Sequence, residues 1–253
     1  MTASSTNKAL MILDLFRGPH AELNTEEIAA QLKIPISTCY RYLKAMSDQG
    51  FLVSTSGSGY SLGPKIILLG YHLRENDPVI SAAKDHADAL ARSFKGTATI
   101  NRAFRQSFIC IYVSHSRHET RTGFGAGDAM SILSGANAML VQAFLSRHLQ
   151  QKLYAENQEE LVAAGRGNTF EEFKQGLAAI RQARLCVVRG LVRKNSTGIA
   201  APLVGLKNQI LGTFSFSILN DDLTPELEET LKLRVHEVGI RVSETLQRPK
   251  AQA

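Results

Sequence analysis

The sequence predicts an α+β protein in two parts: a small N-terminal winged helix-turn-helix, then a larger mixed sheet with flanking helices. Three observations carry this. Residues 25–60 read as helix, tight turn, helix and hairpin. Gly63-Pro64 interrupts the chain and opens a separate helix. Beyond Gly96, β-branched runs at both ends of the segment enclose several helical stretches, the pattern of one sheet with helices packed on it.

The elements follow in order. Residues 7–17 form the first helix, with Ala9, Ile12, Leu13 and Phe16 as its apolar stripe and Gly18-Pro19 as its stop. Asn24 or Thr25 caps the second, and Glu26 and Glu27 occupy the first turn, where the helix dipole favours acids. Its inward face is Ile28, Ala29 and Leu32. Lys33-Ile34-Pro35 breaks the chain. A third helix then covers residues 36–49, with Ile36, Tyr40, Leu43 and Met46 at helical spacing, and Gly50 stops it in a left-handed cap. Runs 51–55 and 60–62, joined by Ser56-Gly57-Ser58-Gly59, make the hairpin.

Pro64 starts the next helix, with Ile66, Leu69, Gly70 and Leu73 along one side. Asn76-Asp77-Pro78 breaks it before a longer helix at 79–94. A hairpin of strands 97–104 and 108–115 turns at Arg105-Gln106, and residues 123–127 form a glycine-rich loop. Ser134-Gly135 opens a helix at 136–145, and further helices cover 147–153 and 170–182. Strands return at 185–192, 197–203 and 210–218. The closing helix starts at Thr224-Pro225-Glu226 and buries Leu227, Leu231, Val235, Val238, Val242 and Leu246. The domains are therefore expected at 1–63, a linker helix at 64–78, and 79–249.

At 253 residues and 44% apolar content, the chain has the make-up of an ordinary globular protein. No apolar run approaches the roughly 20 residues that span a bilayer. MTASSTNKAL lacks the layout of a signal peptide. Cys39, Cys110 and Cys186 are far apart and form neither a metal spacing nor a disulfide framework, so a cytoplasmic protein is expected. The net charge of +6 permits a nucleic-acid partner. It does not sit in the first part, where five bases (Lys8, Arg17, Lys33, Arg41, Lys44) balance five acids (Asp14, Glu22, Glu26, Glu27, Asp48). Binding there depends on asymmetry, with acids on the first two helices and bases on the third.

In a helix-turn-helix the last helix enters the major groove. Ser37, Thr38, Arg41 and Lys44 share one open stripe of that helix, flanked by Tyr40 and Tyr42, and Ser58 sits in the wing. Hydroxyls and free N–H groups at a helix start hold a phosphate. A guanidinium one turn on reads guanine bidentately or clamps a phosphate, and an ammonium suits a phosphate as a point charge. Farther on, Ser215 and Ser217 share one strand face, away from Phe214, Phe216 and Ile218. If buried, both hydroxyls need partners, and a ligand carboxylate is one; solvent is the other reading. Gly135 and Ala136 stand at a helix start, whose N–H groups attract an anion.

Other chemistry is weak. No Ser-His-Asp set, paired carboxylates or phosphate loop stands out, so catalysis, a cofactor and a metal are not expected. His115 and His118 with Arg117 and Arg121 fit a strand end and polar loop better than a metal or anion site. Cys39 reads as packing rather than as a redox switch.

The run IPISTCYRYLKAM resembles the recognition helix of IclR-type bacterial transcription regulators. NKALMILDLF resembles that family's first helix, and GYSLGPKIILLG its wing and linker start. In the second part, SGANAM at 134–139 and GIAAPLVGLKNQILGTFSFSI at 198–218 resemble the family's effector-pocket motifs. The resemblance implies a GAF-like sensing domain with Gly135, Ala136, Gly198, Ser215 and Ser217 around an effector. It implies double-stranded operator DNA and a small carboxylic or aromatic acid as partners. It also implies a homodimer touching near residues 1–75, with a dimer of dimers as the larger alternative; those apolar residues equally suit the protein's own core. Two departures stand out. Asn137 and Ala138 replace the family's usual Gly-Lys, and Arg189 or Arg193 stands where an acid is common. With Gly198 in place of a larger residue, a roomier and more basic pocket is expected. The competing function is a small-molecule-binding protein or enzyme with a vestigial helix-turn-helix.

Overall fold

The computed structural model describes residues 5–16, 22–57, 59–104, 107–116, 125–191 and 193–248. The chain divides into two compact units, Met1–Asn76 and Asp77–Ala253.

The first unit holds helices α1 (Ser5–Leu15), α2 (Thr25–Leu32), α3 (Ile36–Asp48) and α4 (Pro64–Asn76). Strands β1 (Leu23–Asn24), β2 (Leu52–Ser54) and β3 (Gly59–Leu62) form an antiparallel sheet in the order β1-β3-β2. Local chemistry sets these boundaries. Asn24 caps α2 reciprocally: its Oδ1 accepts from Glu27 N, and its own N–H donates to Glu27 Oε2, both at 2.8 Å. Lys33, in a left-handed conformation, ends that helix. At the end of α3, Phe51 N donates to Met46 O and Gly50 N to Ser47 O, both at 2.9 Å, with Gly50 at φ +75°. This is a Schellman stop, which glycine adopts without a Cβ clash.

Ile12, Phe16, Leu23, Ile28, Ala29, Leu32, Cys39, Leu43 and Leu52 form this unit's core. The inward face of α3 differs from the expected one. Cys39 and Leu43 point inward, whereas Ile36 and Tyr40 are 48% and 51% exposed. Successive helical residues are about 100° apart, so a face centred on Cys39 and Leu43 turns Tyr40 to its edge. Leu43 has no exposed surface. Leu43→Ala is expected to cost about 2–5 kcal/mol, read as a lower urea midpoint for this unit.

The second unit begins with α5 (Pro78–Ser93), capped by Asp77, whose Oδ1 accepts from Val79 N at 2.7 Å and Ile80 N at 3.2 Å. Strands β4 (Thr97–Phe104), β5 (Ser107–His115) and β6 (Ala129–Met130) precede helices α6 (Ala136–Phe144), α7 (Arg147–Glu156), α8 (Gln158–Ala163) and α9 (Phe170–Ala183). Strands β7 (Cys186–Arg189), β8 (Ser196–Val204) and β9 (Ile210–Leu219) and helix α10 (Pro225–Gln247) complete it. The six strands lie antiparallel in the order β6-β5-β4-β9-β8-β7, so the first and last parts of the unit meet at β4 and β9. Strand β6 and helix α8 were not foreseen; two and six residues are too short to show a period.

The sheet has a helical layer on each face. Ala98, Ile100, Ile199, Ala201, Phe214 and Phe216 pack with Val79, Ala83 and Ala87 of α5 and Leu231, Val235, Val238 and Val242 of α10. A Cβ on Gly239 would come within 2.6 Å of Ala201 Cβ, so glycine lets α10 approach β8 closely. Helix α6 packs on the opposite face, where Ala136 and Leu140 meet Cys186 and Ala200. Among the described residues, no helix is long and apolar enough to cross a membrane.

Candidate functional site

Two surfaces hold the expected site residues. The first is the open side of α3. Its N-terminus follows Pro35 and has no side-chain cap; Thr38 N and Cys39 N both donate to Pro35 O at 3.0 Å. Ser37, Tyr40, Arg41 and Lys44 are exposed, and Thr38 is half-buried. Tyr42 instead packs against the core, and the Arg41 guanidinium lies 5.7 Å from the centre of its ring. Tyr40, Arg41 and Lys44 line a groove with Ser47 of α3 and with Ser54 and Tyr60 of the hairpin. The last three were not foreseen, although Ser54 and Tyr60 pair across β2 and β3. Ser58 lies outside the described residues.

The second is a cavity of about 270 Å³ between the sheet and the start of α6. Gly135, Ala136, Gly198, Ser215 and Ser217 all line it. Gly135 has φ 92°, a glycine-favouring value, and no side chain caps α6. Phe108, Met130 and Val188 supply apolar wall. Ser215 is buried rather than solvent-facing, and its Oγ lies 2.7 Å from Thr99 Oγ1 and 3.1 Å from Asn137 Nδ2. Thr99 was not foreseen. Its signal was the alternation of Thr97, Thr99 and Asn101 with Ala98 and Ile100, which marks a polar face.

The expected basic pocket is not formed by Arg189 or Arg193, neither of which lines the cavity. Side chains alternate along β7, so Val188 faces the cavity and Arg189 the other way. Arg189 Nη2 bonds to the carboxylate of Glu228, which Lys232 also holds at 2.9 Å. The Lys232 hydrogen bond, with help from Arg189, holds the Glu228 carboxyl below the usual carboxylate range against the effect of burial. Burial pushes the Cys110 and Cys186 thiols up to about 11 and raises that of Cys39, so all three stay protonated. His115 Nδ1 lies 3.1 Å from Thr97 Oγ1. Arg117, His118 and Arg121 lie outside the described residues.

The IclR helix-turn-helix domain model matches residues 5–56. The HTH-type transcriptional regulator KipR of Bacillus subtilis is 22% identical over 240 residues, covering 93% of this chain and 94% of its own. Among solved structures, an IclR transcriptional regulator from Alicyclobacillus acidocaldarius superposes with a TM-score of 0.80 at 20% identity, covering 97% of this chain and 99% of its own. An IclR homolog from Microbacterium hydrocarbonoxydans, complexed with 4-hydroxybenzoate, has a TM-score of 0.75 at 14% identity, covering 96% and 99%. KipR and the Alicyclobacillus protein are named as transcriptional regulators. Residues 5–56 are an IclR helix-turn-helix domain, and the whole chain is built as an IclR-type transcription regulator is.

Proposed function

We propose that this chain is a cytoplasmic regulator that reads operator DNA with α3, and that a small carboxylic or aromatic acid in the second unit changes its affinity for that DNA. The cavity carries the ligand half of this reading. Buried hydroxyls and the uncapped start of α6 meet at the cavity, and Phe108, Met130 and Val188 supply apolar wall among further serines, which suits an acid with an apolar body. The 4-hydroxybenzoate bound to the Microbacterium protein supports the same class.

The DNA half rests on Ser37, Thr38, Tyr40, Arg41 and Lys44 at the open side of α3, with the hairpin beside it. Two copies would give the duplex two such helices. Helix α4 supports a dimer: none of its residues is buried, and Ile67 and Leu73 are 74% and 66% exposed. Leu68, Leu69 and Tyr71 are also exposed, as are Leu10 and Met11 of α1, an apolar area suited to a second copy. A dimer of dimers is the larger assembly to test by light scattering.

A thermal-shift screen of small carboxylic and aromatic acids, starting with 4-hydroxybenzoate, tests the ligand half. A ligand at a hundred times its Kd should stabilise by about 2.7 kcal/mol and raise the melting temperature by about 5–10 °C. The same compound should alter the gel shift with DNA upstream of the neighbouring genes. Ser215→Ala combined with Ser217→Ala should weaken the ligand response and leave DNA affinity in place. A panel that moves neither the melt nor the gel shift would sink the acid reading.

A further inference from the structure

Five polar side chains close a ring against the cavity. Asn137 Nδ2 donates to Ser215 Oγ at 3.1 Å, and Asn137 Oδ1 accepts from Thr213 Oγ1 at 2.8 Å. Asn137 thus bridges alternate residues on one face of β9. On β4, directly opposite, Asn101 Nδ2 donates to Thr99 Oγ1 at 3.1 Å and to Thr213 Oγ1 at 3.2 Å. The Thr99 and Ser215 hydroxyls complete the circuit at 2.7 Å. Thr99, Asn101, Thr213 and Ser215 are all buried.

Two amide groups and three hydroxyls carry seven hydrogens, and the five links use five of them. One hydrogen remains on Asn137 Nδ2 and one on the Thr99–Ser215 hydroxyl pair. Those three residues line the cavity, whereas Asn101 and Thr213 stand behind it. Both spare hydrogens therefore belong to cavity-lining groups. They lie beside the uncapped start of α6, whose own N–H groups are donors.

We propose that Asn137 is itself a ligand-binding, specificity-determining residue, whose spare amide hydrogen reads a carboxylate oxygen of the effector. The ring fixes the amide so that it need not be ordered on binding, and the hydroxyl pair offers the second carboxylate oxygen its own donor. This rests on the reading of the cavity as an acid site. It adds that the side chain at this position, and not the α6 backbone alone, sets which polar group is accepted.

Calorimetry with matched pairs, benzoate against benzamide and 4-hydroxybenzoate against 4-hydroxybenzamide, tests it on the full chain. The wild type should prefer each acid. Asn137→Asp keeps the size of the side chain but replaces a donor by a negative acceptor. It should weaken the acids on the order of a hundredfold or more, while the amides, able to donate to the new carboxylate, lose far less. The preference then inverts. A new carboxylate in the cavity wall repels any anion there, so the neutral Asn137→Leu, of similar size, decides. A larger loss for each acid than for its amide supports the contact. A residue that only braces the ring would weaken acid and amide equally, and that unchanged ratio overturns the proposal and leaves the acid site standing. If neither acid binds the wild type, the acid reading falls and this one with it. Should the aspartate variant not fold, a crystal structure of the wild type with benzoate decides. A carboxylate oxygen within hydrogen-bond distance of Asn137 Nδ2 supports the proposal, and one placed elsewhere overturns it.

Discussion

Arg41→Ala is expected to abolish the specific gel shift while leaving the protein folded. Arg41 is exposed on α3, where its guanidinium lies over the aromatic ring of Tyr42, so folding should lose at most about 0.5 kcal/mol. On DNA the loss is much larger. A bidentate arginine–guanine contact contributes about 1–3 kcal/mol of discrimination. In a dimer the substitution acts twice, for roughly 2–6 kcal/mol, or about 30-fold to four orders of magnitude in Kd. Non-specific binding should fall much less. Lys44→Ala supplies the contrast. A lost phosphate contact should weaken specific and non-specific binding alike and reduce the salt slope by about one per protomer. Unchanged operator binding by the Arg41 variant would show that α3 does not read the bases.

Gly198→Leu is expected to eliminate the ligand response. A Cβ at Gly198 would meet no atom within 4 Å, and the residue lines the cavity. Its backbone needs no glycine, so a larger side chain can grow into the ligand's space without displacing the sheet. The rise of about 5–10 °C expected with a saturating acid should disappear. The melt without ligand and the gel shift without ligand should both stay near the wild type. A full ligand-induced rise in the leucine variant would move the ligand out of this cavity.

The two substitutions differ in how far their targets could be read from sequence. Arg41 belongs to a helix whose start, stop and period are all local. Pro35, the open stripe and Gly50 lie within sixteen residues of one another. Even there the inward face needed the fold, because Ile36 and Tyr40 are apolar enough to pass for core, and only packing leaves them exposed beside the buried Cys39 and Leu43. The cavity was partly legible. Alternation along β9 put Ser215 and Ser217 on one face, and a helix start at Gly135 is a local event. A basic pocket was expected because Arg189 or Arg193 stands where the family resemblance implies an acid, but alternation along β7 turns Val188 to the cavity and leaves Arg189 to bond Glu228.

The sequence by itself determined the longer elements and their caps, because a cap, a turn or a period is settled by residues within one or two turns of each other. It also determined which strand faces are polar. Only the tertiary structure decided which polar faces meet. Thr99 and Ser215 are 116 residues apart, and Asn137 reaches Ser215 across 78. Such partners are chosen by strand order and register, which follow from burying the whole apolar face of the sheet at once and so leave no mark on any short stretch of the chain.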